Sequence, residues 1–351
     1  MDGLHSATMK DILRYSAGAA LAVFLLWLVL RGVDRRALLA AIGRASIGGL
    51  VAGAAVNLAH NVFRVWRWGA LLEPVRPKLP FRPMFTAVII GYLTTWILPG
   101  RLGELVRPAL LSAREDVPIG PSLGSIVADR ALDGAAIVAL FAAGTFLAPI
   151  RGIAARQIRS AALVLLVVVL VFMAGAAVAG SARGRIEAWC GRRGRFVRRA
   201  GRAFSSLVLG AEALRRPRLL AIVLAHSILA WLTIAAGVWL GVRASGADVP
   251  FPAMMVMLPL LAFGVAVPTP GGAGGYHAAM AFGLQMLYGV PADAAVAAGI
   301  LMHLAVVLPV IVLGLALLKT EGISWADVLT AARGVRALGR EAAREPGGGP
   351  E

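Results

Sequence analysis

Pro99-Gly100-Arg101-Leu102-Gly103-Glu104 and Pro270-Gly271-Gly272-Ala273-Gly274-Gly275 decide how this chain is read. Each is a Pro-Gly-x-x-Gly break inside an otherwise apolar stretch, one in each half of the chain. In hydrocarbon, a broken helix leaves backbone N–H and C=O groups with no water to bond. Such breaks persist only where the backbone is buried in protein or lines a wet cavity. Paired breaks at matching places in two halves point to a transporter-type site near the bilayer midplane.

The flanking sequence fits that setting. The chain of 351 residues is 59% hydrophobic, with a mean hydropathy of +0.80, well above soluble norms. The runs Ile12–Leu30, Ala161–Ala179 and Leu219–Leu240 are long enough to span a hydrocarbon core of roughly 30 Å. The fold class expected is all-α and polytopic, with six full spans near 12–31, 46–66, 121–149, 160–180, 218–242 and 293–318. Two broken pairs lie between them, near 84–99 with 103–112 and near 252–268 with 274–289. Their arms are short for complete crossings, and a re-entrant hairpin explains both the shortness and the charge of Glu104 and Arg107. The first run could be a signal peptide. It is followed by Arg31-Gly32-Val33-Asp34-Arg35-Arg36 rather than a small-residue cleavage site, which favours a retained helix.

Charge sets the orientation. With both termini inside and both hairpins re-entrant, 26 of the 35 Lys and Arg fall on the cytoplasmic side and 8 outside, leaving Arg130 within a span. The first hairpin then enters from the cytoplasm and the second from outside, which makes an inverted repeat. Repeat one covers about 46–149 and repeat two about 218–318, within a membrane domain of residues 1–320. A basic amphipathic linker of about 181–218 joins them, and residues 321–351 form an amphipathic helix and a disordered tail. The expected location is the plasma (inner) membrane of a bacterium. A net charge of +17 could suggest nucleic acid, but basic cytoplasmic loops and anionic headgroups account for it, and no recognition motif accompanies it. The single Cys190 excludes a disulfide framework or a multi-cysteine metal site.

Several residues could carry chemistry. Glu104 has Arg101 and Arg107 three positions away on either side, so all three share a helical face, and pairing of the carboxylate with an arginine is expected. Asp129, Arg130 and Asp133 sit on the third span, where a charge implies a partner. Arg130 with Asp133 could be a local structural pair or a substrate contact. Asn57, His60, Asn61, Arg64 and Arg67 form a polar stripe on the second span; the asparagines suit helix–helix bonding, while Arg64 and Arg67 could meet inner-leaflet phosphates. Gly271, Gly272 and Gly274 permit close backbone approach and could aim N–H groups at an anion. Tyr276 and His277 open the return helix, and His277 could meet His303 across the site. Without a neighbouring carboxylate or cysteine cluster, zinc is not expected. A midplane histidine would suit proton coupling. No nucleophile–base pair, phosphate loop or dinucleotide fingerprint is present, so there is little reason to expect an enzyme, and no cofactor is expected.

Together these motifs resemble the lysylphosphatidylglycerol synthase transmembrane-region family, or flippase-like domain proteins. Arg64-Val65-Trp66-Arg67-Trp68 is similar to its Arg-x-x-Arg-Trp, and Pro99 to Arg107 to its Pro-x-Arg-x-Gly-Glu-x-x-Arg. Arg130 and Asp133 match its Arg-x-x-Asp pair. Pro268 to Gly274 match its Pro-x-Pro-Gly-Gly-x-Gly loop, followed by Gly289-Val290 and the small residues of Ala294–Gly299. The family often carries a glutamate just after that loop, where this chain has Tyr276-His277. The resemblance implies movement of a lipid or lipid-linked headgroup between leaflets. In the aminoacyl-lipid enzymes, synthesis belongs to a separate soluble domain, so lysylphosphatidylglycerol synthesis is not expected here.

The leading expectation is a flippase-like transporter whose partner is an anionic phospholipid or a polyprenyl-phosphate-linked lipid. The alternatives are a scaffold for a glycosyltransferase or lipid-synthesis enzyme, docking through Arg183–Arg218, and an integral-membrane lipid-modifying enzyme. Whether the chain forms a homo-oligomer is left open.

Overall fold

The computed structural model describes residues 9–98, 102–148, 153–181 and 212–344. These form twelve α-helices and two short 3-10 turns, with no strand among them. The helices are α1 (Met9–Leu30), α2 (Arg35–Gly43), α3 (Ile47–Leu72), α4 (Phe81–Ile97), α5 (Gly103–Glu115), α6 (Ile119–Leu147), α7 (Ile153–Ser181), α8 (Pro217–Ala244), α9 (Phe251–Ala266), α10 (Gly275–Tyr288), α11 (Ala292–Thr320) and α12 (Trp325–Arg344).

Local sequence sets most of the starts. Ser46 caps α3 by accepting the Gly49 N–H, and Asp34 caps α2 through the Arg36 N–H. Pro80, Pro118, Pro250 and Pro291 stand at the N-caps of α4, α6, α9 and α11. There their fixed φ suits the extended entry, and no N–H is left unpaired.

The six stretches read as spans are the long helices α1, α3, α6, α7, α8 and α11. Among the described residues two of them, α8 and α11, are long and apolar enough to cross a membrane by length and composition. Ser16–Leu30 of α1 joins them only if taken with α2, which turns away by 94°. Helix α2 has no counterpart among the expected elements; it packs on α11. Helices α3 and α6 carry the arginines and aspartates of the polar stripes, and those residues point inward.

Each broken pair folds back on itself around its own core. One core joins α8 to α11 through Met254, Met257, Met280 and Met302. The other joins α3, α4 and α5 through Trp68, Leu72, Ile90 and Val106. Helices α3 and α8 bind the halves together. A Cβ on Gly53 would lie 2.8 Å from the Gly237 carbonyl oxygen, so the two backbones touch, as small residues allow in membrane helix packing. The C-terminal helix is the amphipathic helix expected within residues 321–351. Its Ser324–Asp327 capping box forms, and Val328 and Ala332 are buried against the α3–α5 core, so protein covers part of its apolar face. The basic segment expected over 181–218 lies outside the described residues from 182 to 211, as does the tail beyond Arg344.

Candidate functional site

The first helix pair is α4 with α5. Its arms run antiparallel and meet so closely near the tip that a Cβ on Gly103 would stand 1.8 Å from the Gly91 carbonyl oxygen. Pro99, Gly100 and Arg101 lie outside the described residues, and with them the expected role of Arg101. The second pair repeats the arrangement: a Cβ on Gly275 would stand 2.2 Å from the Gly264 carbonyl oxygen. Its tip is the 3-10 turn Pro270–Gly272, with Gly271, Gly272 and Gly274 at φ of 59°, 65° and 82°. A side chain would be strained at each of the three. The second tip meets α4 where Gly272 packs on the Trp96 ring, which His303 of α11 also meets edge-on with centroids 5.9 Å apart.

A buried ionic cluster joins α3, α5 and α6. Arg64 and Arg67 of α3, three residues apart, face Asp129 and Asp133 of α6, four apart. Arg67 Nη2 lies 2.6 Å from Asp129 Oδ1 and 2.9 Å from Asp133 Oδ1, and its Nη1 donates to Ser227 Oγ on α8. Arg64 Nη1 donates to Asp133 Oδ2 at 2.9 Å. Arg107 reaches in from α5, donating to Asp129 Oδ2 at 3.3 Å, with its guanidinium 4.8 Å from the Trp68 ring centre. Arg130 closes the group, 3.0 Å from Asp129 and 3.2 Å from Asp133. Trp231 Nε1 donates to Asp133 Oδ1, and Trp68 Nε1 to Ser125 Oγ.

Four arginines therefore surround two aspartates. Arg67 and Asp129 are fully shielded, while Arg130 and Glu104 keep 34% and 38% of their side chains exposed and form the open edge. Not every donor is satisfied. Arg64 Nε, Arg107 Nε and Nη2, Arg130 Nε and the Tyr92 hydroxyl find no partner among the described residues. Buried unpaired donors on cations are costly, and an anion would relieve that cost.

The sequence-derived site residues fall into two groups. Arg64, Arg67, Arg107, Arg130 and Asp133 come together, with Glu104 at the rim. Glu104 was expected to pair with an arginine. Its partner among the described residues is Arg130 of α6 at 3.9 Å, while Arg107 of its own helix turns to Asp129. Tyr276, His277 and His303 form the second group, with the imidazole centroids 4.7 Å apart and Tyr276 5.4 Å from His303. The glycine loop was expected to offer N–H groups to an anion. Three of these are already engaged: Gly272 donates to Thr269, Ala273 to Pro270, and Gly274 to His277 Nδ1. Among the described residues, no three His, Cys, Asp or Glu side chains are grouped to hold a metal ion. Asn61 bonds back to Leu58 of its own helix rather than across to another.

Sequence reasoning missed Asp129 as the centre of the cluster, along with its supports Trp68, Ser125, Ser227 and Trp231. One available signal was the match of two polar stripes of opposite sign, on α3 and α6, at helical spacing.

Apolar helices around an interior charge cluster define an integral membrane protein. More particularly, the chain belongs to the lysylphosphatidylglycerol synthase transmembrane-region family, whose model matches residues 15–314 and so covers every residue of the two groups. No curated protein matches the chain. The family places it among membrane proteins of lipid metabolism or transport.

Proposed function

We propose that this protein moves an anionic phospholipid or a polyprenyl-phosphate-linked lipid between leaflets, with the arginine cluster receiving its phosphate. The observation that carries this reading is the excess of cation in the cluster: Arg64, Arg67, Arg107 and Arg130 against Asp129 and Asp133, with unpartnered guanidinium donors beside an open edge. Arginine suits a phosphate through its planar fork of charge-assisted donors. Helices α1, α9 and α10 border an apolar cavity of about 690 Å³, lined by Leu28, Phe263 and Phe282 with Arg31 and Gln285, which would suit an acyl chain.

The layout of this proposal has six crossing helices and two re-entrant pairs related by an inverted repeat, with both termini in the cytoplasm. The matching glycine contacts, Gly91 with Gly103 and Gly264 with Gly275, support the repeat. Arg82, Arg114 and Glu321 meet at one end of the bundle, and Ser46 bonds Ala244 at the other, as the alternation of helix directions requires. Rocking of one repeat against the other would open the cluster to either leaflet in turn.

Reconstitution into liposomes with fluorescent anionic lipids tests the reading. Wild-type protein is expected to exchange phosphatidylglycerol between leaflets faster than Arg130→Gln protein. Equal rates for both would overturn it. Activity that depends only on the Arg183–Arg218 segment would favour a scaffold.

A further inference from the structure

The second group gathers where the tip of the α9–α10 pair meets α11. His277 and His303 lie with ring centroids 4.7 Å apart and planes 34° from one another, enclosed by Tyr276, Trp96 and the glycine turn. His277 is buried and His303 half-buried. His277 Nδ1 accepts the Gly274 N–H at 3.2 Å. That bond requires a bare Nδ1 and so puts the neutral ring's proton on Nε2. An imidazolium has N–H on both nitrogens and cannot accept it. Protonation of His277 therefore costs the N-cap of α10, at a glycine with φ of 82° that packs tightly on α1. A Cβ there would stand 2.8 Å from Leu25 Cβ.

Two charges at this separation in a low-dielectric setting repel strongly, so the pair holds one proton at a time. The surroundings offer little else that titrates. Residues 16–30 of α1 and the whole of α9 carry no titratable side chain. Helix α10 adds Tyr276, with Tyr288 at its far end, and α4 adds Tyr92, with Arg82 at its far end. Helix α3 brings His60, Arg64 and Arg67. Helix α8 has His226, with Arg218 and Arg243 near its ends; α11 has Asp293 and Lys319 at its ends, and α2 has Arg35 and Arg36. Among the described residues no carboxylate pairs with either imidazole.

We propose that His277 and His303 form a binding site for a single proton whose capture frees the second hairpin tip, making the proton the coupling ion of lipid movement. This rests on the translocation reading above. The tip lies against Trp96 of the first pair, so its release alters the contact between the two halves. The charge state of the imidazoles thereby biases which half-to-half arrangement is favoured.

Two measurements keep the failure of this inference apart from the failure of the reading beneath it. In protein labelled at histidine and glycine with nitrogen-15, acidification is expected to shift the Gly274 amide with the same midpoint as the His277 ring, and His303→Gln is expected to move that midpoint. A Gly274 amide indifferent to His277, or a midpoint unchanged by the substitution, overturns the proton site whether or not lipid moves. In liposomes, an imposed pH gradient is expected to accelerate leaflet exchange by wild type and by His226→Gln, and this acceleration is lost in His303→Gln. A wild type indifferent to the gradient, or a His303→Gln protein that responds as wild type does, overturns the coupling. A wild type that moves no lipid under any condition overturns coupling and translocation together, and the resonance experiment alone then decides the proton site. Should His303→Gln fail to fold, the Gly274 and His277 titrations of wild type still decide it: a shared midpoint supports the site, and separate midpoints overturn it.

Discussion

Arg67 and Asp129 meet at 2.6 Å with neither side chain exposed. Their contact ties α3 to α6, and the same aspartate receives Arg107 and Arg130. A buried ion pair is poor evidence of net stability, because desolvation offsets much of the attraction. Removing one partner is a different matter, since the remaining charge stays buried and uncompensated. Asp129→Ala leaves Arg107 with no carboxylate partner and Arg67 with Asp133 alone, and is expected to cost about 3–5 kcal/mol. Thermal unfolding in detergent reads this out, and a double substitution, Arg67→Met with Asp129→Leu, is expected to recover part of the loss.

The glycine contacts make a second prediction. Gly103→Ala and Gly275→Ala place a methyl group 1.8 Å and 2.2 Å from a facing backbone carbonyl, where no rotamer change gives relief. Each is expected to separate the arms of its pair and lower the yield of folded protein in size-exclusion chromatography. Gly134→Ala, with nothing within 4 Å of the new carbon, serves as the control and is expected to behave as wild type.

Outside the bundle, Glu321 predicts a response to acid. Its carboxylate accepts from Arg114 Nη1 at 3.0 Å and Arg82 Nε at 2.9 Å, fastening the outer ends of α4 and α5 to the end of α11. The Arg114 hydrogen bond, opposed by desolvation and helped by Arg82, holds this carboxyl below its ordinary value of 4.5. A group lowered in the fold adds stability above its unfolded value and loses it as the pH falls through the folded one. Melting curves of wild type and Glu321→Gln are therefore expected to differ at neutral pH and to converge as the pH drops below 4.5. A gap that stays constant down to acid pH would mean the carboxylate is not what fastens these ends.

Much of this was legible from periodicity and composition. The six long apolar stretches are helices because runs of about 20 apolar residues have few other ways to satisfy their backbone. Helices α4 and α9 end just before the two Pro-Gly-x-x-Gly breaks because proline does not continue a helix, and at the second break Gly271, Gly272 and Gly274 take positive φ. Arg130 and Asp133, three apart, were readable as a pair for the same local reason. Asp129 was harder to place. Its partners Arg67 and Arg107 come from other helices, and which face of α3 turns to α6 is set by packing. The glycine loop misled on one point: flexible backbone suggested free N–H groups, whereas the turn and the His277 side chain engage three of them.

Mass spectrometry of the intact protein released from native membrane, with its retained lipid, tests the phosphate-receiving role of the cluster most directly. The account predicts that wild type carries a phosphate-bearing anionic lipid in preference to zwitterionic lipid, and that Arg130→Gln with Arg107→Gln strips this preference while the protein stays folded. An identical retained-lipid profile in wild type and variant would contradict it.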